Sequence, residues 1–152
     1  MRRSVSFDVY GIAQPKGSAR AFVPLSWARE AVARGKQPRA VITTANPSTT
    51  AWSHLVRESA QTAATEGLFD GPIVVVLEFF LARPKSLPKR GGIHHTTRPD
   101  VDKLARAVLD ALTGILYVDD SAVVALHAWK IYSAIGIAPH VRITVQDAVS
   151  HE

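Results

Sequence analysis

Ile73-Val74-Val75-Val76-Leu77-Glu78-Phe79-Phe80-Leu81 is a run of β-branched and aromatic side chains interrupted by one carboxylate. Such residues fit a pleated surface covered on both sides, so the run predicts a buried strand, central in its sheet. Gly71-Pro72 breaks the chain just before it. After it, residues 82–98 (ARPKSLPKRGGIHHTTR) hold Pro, Gly and Lys without periodicity and read as a mobile basic loop. Beyond Pro99, Val101, Leu104, Ala105, Val108 and Leu112 recur at i, i+3, i+4, i+7 and i+11, the apolar stripe of a helix that Gly114 should stop. Ile115 to Val118 then leads into Asp119-Asp120-Ser121. Ala122 to Tyr132 is strand-like, and a last strand is expected around His140 to Val145.

Working back toward the N-terminus, Val5, Phe7 and Val9 alternate with polar residues, the period of a half-buried strand ending near Gly11. Gln14 to Arg20 (QPKGSAR) reads as a loop. Residues 21–46 have weak periodicity and are expected to be mostly irregular, with a short helix over Trp27 to Ala33. Pro47-Ser48-Thr49-Thr50 resembles a helix start, and Trp52, Leu55, Val56, Ser59 and Ala63 keep one face through a helix expected to end near Gly67. The order is therefore β, α, β, α, β, β. It predicts an α+β fold in which two main helices cover a small mixed sheet, as a single domain over 1–152 with no internal repeat or dividing linker.

A chain of 152 residues, 47% hydrophobic and 20% charged, suits one ordinary core and excludes a collagen-like or long coiled-coil chain. It has no cysteine, so disulfides, thiolate zinc sites, iron–sulfur clusters and Cys nucleophiles are excluded, and any metal must bind through O or N. Asp8 interrupts the N-terminus before an apolar stretch of signal-peptide length, and later apolar runs such as Ile73 to Leu77 stop at Glu78; neither export nor membrane spanning is expected.

Charge is segregated within a net of +5. Residues 1–40 carry eight Lys or Arg against two acids, and residues 83–98 carry five against none. Residues 100–120 reverse the sign, with Asp100, Asp102, Asp110, Asp119 and Asp120 against Lys103 and Arg106. A surface built only to hold phosphates loses affinity by including carboxylates, so the aspartates need a reason. Asp100 could cap a helix and Asp119-Asp120 could fill a turn, or the acids could be solvated or paired with surplus arginine. The other reading is metal chemistry. Asp100 and Asp102 can share a side where the chain is just entering its helix, and of Asp119 and Asp120 only one, expected to be Asp120 facing inward, should join them. Three converging carboxylates repel one another unless a hard cation such as Mg²⁺ lies between them. Asp110, two turns beyond Asp102, is assigned to the helix surface.

Arg98-Pro99-Asp100-Val101-Asp102-Lys103-Leu104-Ala105-Arg106-Ala107-Val108-Leu109-Asp110-Ala111-Leu112-Thr113-Gly114, then Asp119-Asp120-Ser121 and Lys130, resembles the RusA family of Holliday junction resolvases, whose pattern is roughly RPDxDNLxKxxLDALNG, a spacer, DDSxV and a later Lys. The segment Gln14 to Arg20 is similar to the basic Pro-Lys-Gly stretch of the family's phage members. The resemblance implies a cytoplasmic homodimer, from a bacterium, prophage or phage. It would bind four-way or branched DNA and, with Mg²⁺ (or Mn²⁺ in substitution) and no organic cofactor, nick two opposed strands symmetrically. It implies Asp100, Asp102 and Asp120 as metal-binding carboxylates with Asp119 beside them. It also implies a fold like that family's.

Two positions depart from the pattern: Lys103 stands for the usual Asn and Arg106 for the usual Lys. Arginine stays charged, so Arg106 can stabilise developing phosphate charge but not pass a proton, and the metal must orient and activate the attacking water. Lys16, Arg20, Arg83, Lys85, Lys89, Arg90, Arg98, Lys103 and Lys130 are the expected DNA-binding cations; all but Lys103 and Lys130 lie within basic segments 16–39 and 83–98, which position the backbone without reading bases. Lys130 and Lys103 could equally be solvent-facing. His94-His95 is expected to face DNA or solvent, and Trp27, Trp52 and Trp129 are expected in the core. Two alternatives stay open. One is an inactive junction-binding module in which Lys103 and Arg106 pair the aspartates, and the other a Mg²⁺-dependent nuclease acting on flaps or RNA.

Overall fold

The computed structural model describes residues 1–17, 20–43 and 47–150, with the backbone alone at 20–22 and 41–43. Its elements in chain order are β1 (Ser4–Tyr10), β2 (Arg20–Phe22), α1 (Leu25–Ala33), β3 (Val41–Thr43), α2 (Pro47–Ala63), β4 (Ile73–Leu81), α3 (Val101–Leu112), a 3-10 turn (Asp120–Ala122), β5 (Val123–Tyr132) and β6 (His140–Asp147).

Four strands form one mixed sheet in the order β1-β6-β4-β5. The apolar run 73–81 is an interior strand, antiparallel to β6 and parallel to β5. Ile73, Val75, Leu77, Phe79 and Leu81 are buried on one face, where they meet Val141, Ile143 and Val145 of β6 and Val9 of β1. The two helices complete this core: α2 contributes Trp52, Val56 and Ala60, and α3 contributes Leu104, Ala105, Ala107, Val108, Ala111 and Leu112. The α+β class, the mixed sheet and its two main covering helices are as the sequence predicts. Helix α2 ends at Ala63, one turn short of the expected Gly67.

Because β4 and β5 are parallel, the connection between them must run back along the sheet, and α3 is that return. Its stop is built as expected: Gly114 takes φ 80°, its amide donates to the Tyr117 carbonyl, and the buried Tyr117 hydroxyl donates to the Leu109 carbonyl at 2.9 Å. Desolvation holds the Tyr117 hydroxyl well above its usual range.

The segment expected to be mostly irregular contains the short helix and more. Strands β2 and β3 pair antiparallel, with Arg20 opposite Thr43, and α1 lies between them in sequence. No residue of α1 is buried. Trp27 is 56% exposed and Trp129 is 40% exposed, so of the three tryptophans expected in the core only Trp52 is there. Trp27 sits on a helix that packs against nothing deep, and Trp129 lies on the sheet face opposite the helices.

Candidate active site

The start of α3 is assembled from three parts of the chain. Asp100 occupies the N-cap position with extended backbone (φ −71°, ψ 140°), yet its side chain makes no capping hydrogen bond, so capping does not account for this carboxylate. Asp102 lies in the first turn, exposed, where the positive end of the helix favours it. Lys103 reaches back to Asp100 at 3.6 Å, an exposed i,i+3 pair. Asp102 and Arg106 form no ion pair, among the described residues.

Lys130, on the helix-covered face of β5, donates to the carbonyls of Thr97 and Pro99, the latter at 2.7 Å. Two of its three donors therefore hold the chain entering α3, a bracing role that sequence alone does not disclose. His95 donates its backbone N–H to the Lys130 carbonyl, and its ring tilts over Tyr132 with centroids 4.8 Å apart. Desolvation and then the Lys130 charge hold the His95 imidazole below its usual pKa, which favours the neutral ring. His95 is thus half-buried beside the site, whereas His94 is exposed as expected. On the other flank, Ile12 to Pro15 face Arg98 to Asp100 and Lys103 across a groove of about 510 Å³, and the Lys16 amide donates to the Lys103 carbonyl.

Asp119 and Asp120 lie elsewhere. The Asp119 carboxylate accepts from the Ser121 amide at 2.8 Å, capping the 3-10 turn, and that bond holds its pKa below the usual carboxylate range. Asp120 is exposed, not turned inward as expected, and its charge is felt at Tyr117, beside the last turn of α3. Asp100 and Asp102 begin that helix, and twelve residues at 1.5 Å each put its ends about 18 Å apart. Among the described residues no three His, Asp or Glu side chains come together to hold a metal. The convergence expected within one chain is not there: a helix returning between parallel strands sends residue 100 and residue 120 to opposite ends of the sheet. Asp110 is committed to Lys16 at 2.5 Å, the paired surface acid expected of it, although with lysine as its partner.

The basic side chains divide in two. Arg83 is consumed by its own loop, donating to the carbonyls of Ser133, Pro88 and Arg90. With the 93–95 segment tied to β5, this pins the otherwise irregular 82–98 loop at both ends. Lys85, Lys89, Arg90 and Arg98 are exposed along it. The Arg20 side chain, with Ser18 and Ala19 of the QPKGSAR loop, lies outside the described residues.

Residues 21–146 match the family described as Endodeoxyribonuclease RusA. A Bacillus subtilis (strain 168) protein, named Uncharacterized protein YqaN, is 32% identical over 91 residues, covering 54% of this chain and 62% of that protein. The chain thus spans less than two thirds of that relative's length. No helix among the described residues is long and apolar enough to cross a membrane.

Proposed function

The chain belongs to the RusA endodeoxyribonuclease family, and from that premise we propose that it is a Mg²⁺-dependent endonuclease, with Mn²⁺ as a substitute, that nicks four-way DNA junctions as a homodimer. The observation that carries this reading is the start of α3: two carboxylates, one spared from capping, follow a segment whose Thr97 and Pro99 carbonyls are held by Lys130, in a basic surround. Carboxylate oxygens suit a hard cation, but two of them from one chain make an incomplete site.

The edge of β5 offers a way to complete it. The Tyr132 amide and the Lys130 carbonyl point outward, to Ile93 and His95. Leu126 and Ala128 share their phase, so their backbone groups point outward as well, with no partner strand among the described residues. From Val123 to Trp129 that edge carries exposed Val124, Leu126 and Trp129 and no Lys, Arg, Asp, Glu or Pro of the kind that usually blunts an open strand. Antiparallel pairing of two copies about a twofold near Leu126 would set Asp120 of each beside Lys130 and the start of α3 of the other. Each site would then be Asp100 and Asp102 of one copy with Asp120, and Asp119 beside it, of the second. A divalent ion bound there would supply Lewis acidity and make water a competent nucleophile at neutral pH. Arg106, one turn past Asp102 and exposed, offsets charge on the phosphate; the exposed Lys85, Lys89, Arg90, Arg98 and Lys103 hold the flanking backbone.

The Lys103–Asp100 pair favours a second reading, a junction-binding module whose carboxylates are neutralised by lysine. Exposed i,i+3 pairs are weak, so a divalent ion should displace the ammonium. A labelled mobile four-way junction with and without Mg²⁺ decides between them. Paired nicks in opposite arms are expected, lost in Asp102→Asn; Mg²⁺-independent binding with no nick would leave the module reading, and cleavage of flaps or RNA in preference would reassign the substrate. Mixing tests the shared site: Asp102→Asn and Asp120→Asn, each inactive alone, should regain nicking of one strand on subunit exchange, because the mixed dimer rebuilds one intact set. No recovery would place all three carboxylates of a site in one chain.

A further inference from the structure

Helix α1 is the element that the core does not explain. Its face at Trp27, Glu30, Ala31 and Arg34 has the i, i+3, i+4, i+7 spacing that usually marks a buried stripe, yet nothing on it is buried. The chain closes over that face in a defined way. Gly35 takes φ 66°, the Lys36 amide donates to Ala31 and the Gly35 amide to Val32, a Schellman turn that sends residues 36–39 back alongside the helix. The result is an open groove of about 480 Å³ in which the Trp27 ring, 56% exposed, shares the walls with Arg34, Lys36 and Arg39. The acid in the groove is Glu30, paired with Arg34 at 2.8 Å, which leaves the charges of Lys36 and Arg39 uncompensated there.

We infer that this groove binds unpaired DNA nucleotides, with the Trp27 ring stacking on a base and Lys36 and Arg39 holding the adjacent phosphates. An aromatic face beside cations is the combination that recognises single strands, because every base presents a π-face once it leaves the helix. Intact duplex covers those faces and offers only edges and phosphates, which the lysine and arginine would hold but the ring would not. The inference rests on the reading of the chain as a branched-DNA enzyme and deepens it: a branch point, where stacking is interrupted, is where such bases are found. Trp27 would then make the protein select open strands over continuous duplex.

The test uses the whole protein in EDTA, so that cleavage plays no part, and three probes: an oligothymidylate of about twelve nucleotides, the same length of oligouridylate, and a matched duplex, a length within the span of one single-strand site. Oligothymidylate should quench tryptophan emission of the wild type. Trp27→Ala should remove that quenching and weaken oligothymidylate binding by about five- to one hundred-fold, the effect of losing one stacked base, with duplex binding changed by less than about two-fold. Trp27→Phe should restore most of the affinity, which separates stacking from a folding defect. Lys36→Ala with Arg39→Ala should lower the salt dependence by about two charges. Equal binding by wild type and Trp27→Ala, or equal losses on duplex and single strand, would overturn the inference, and tighter binding of oligouridylate would overturn its assignment to DNA. None of these readouts uses cleavage, so a wild type that fails to nick junctions sinks the proposed function without touching them. Junction cleavage with an unaltered Trp27→Ala affinity sinks only this inference.

Discussion

Helices α3 and α1 are of similar composition, each mixing Ala, Leu or Val with charged residues, and they differ in what their apolar side chains do. Six residues of α3 are buried, and none of α1 is. In α3 the hydrophobic stripe fixes the helix against α2 and β5, so Asp100 and Asp102 are delivered to one place by packing energy spent elsewhere. In α1 the apolar and aromatic groups face solvent, and whatever order they gain must come from a ligand. On the proposed reading one helix is scaffold for a chemical site, and the other is itself a binding surface.

The largest expected effect tests the α3 half of that contrast. Asp120→Asn should abolish junction nicking while junction affinity stays equal or rises, because a carboxylate that repels phosphate is gone. Turnover within about tenfold of wild type, about 1.4 kcal/mol of barrier, would remove Asp120 from the site. Next in size is the packing difference. Leu104→Ala, at a fully buried position of α3, should destabilise by about 2–5 kcal/mol in denaturant unfolding, whereas Leu25→Ala on α1, 66% exposed, should change stability by less than about 0.5 kcal/mol. Comparable losses at the two positions would mean that α1 is docked in solution and its groove closed.

Much of this was legible in the sequence, for physical reasons that also mark where it stopped. The strand at 73–81 and the helix at 101–112 declare themselves because burying one face imposes a period, and Gly114 closes the helix because its positive φ suits no other residue as well. Three-residue strands such as β2 and β3 have no period to show. Trp27 reads as a core residue because a large apolar ring usually is one; the cue against it is its company, Arg29, Arg34, Lys36 and Arg39, with Glu30 as the acid among them. The separation of Asp120 from Asp100 had a signal too. A strand, a helix and a strand in succession suggest a parallel crossover, and a crossover helix starts where the first strand ends and finishes where the second begins. Motif spacing says which residues belong together; the direction of the crossover says that one chain cannot bring these together. Lys130 as the brace of Thr97 and Pro99 carried no such signal, since nothing local marks a lysine that bonds to distant carbonyls.

That brace sets the third prediction. Lys130→Met keeps the aliphatic stem and removes the donors, and should cost about 1–2 kcal/mol of stability for the two carbonyls left without an ammonium. Nicking should fall further than stability explains, because the start of α3 loses its register. If activity instead tracks the folded fraction alone, the brace serves the fold and not the site.

The smallest expected effect belongs to the open face of the sheet, away from both helices. Asp8 on β1 accepts from Arg142 on β6 at 2.9 Å, in cross-strand register, and that hydrogen bond holds the Asp8 carboxyl below its ordinary 3.8. A carboxylate with a lowered folded pKa contributes stability that is present above the unfolded value and lost as pH falls through the folded one. The pair is solvent-accessible and screened, so its contribution should be smaller than the Lys130 effect. Asp8→Asn should therefore lower stability slightly at pH 7, and the two unfolding curves should converge once the pH falls below 3.8 and through the folded pKa. A gap that persists at such acid pH would show that Asp8 acts through packing, not charge. A gap as large as that of Lys130→Met would mean that this open face is covered, and therefore dry, in the assembled protein.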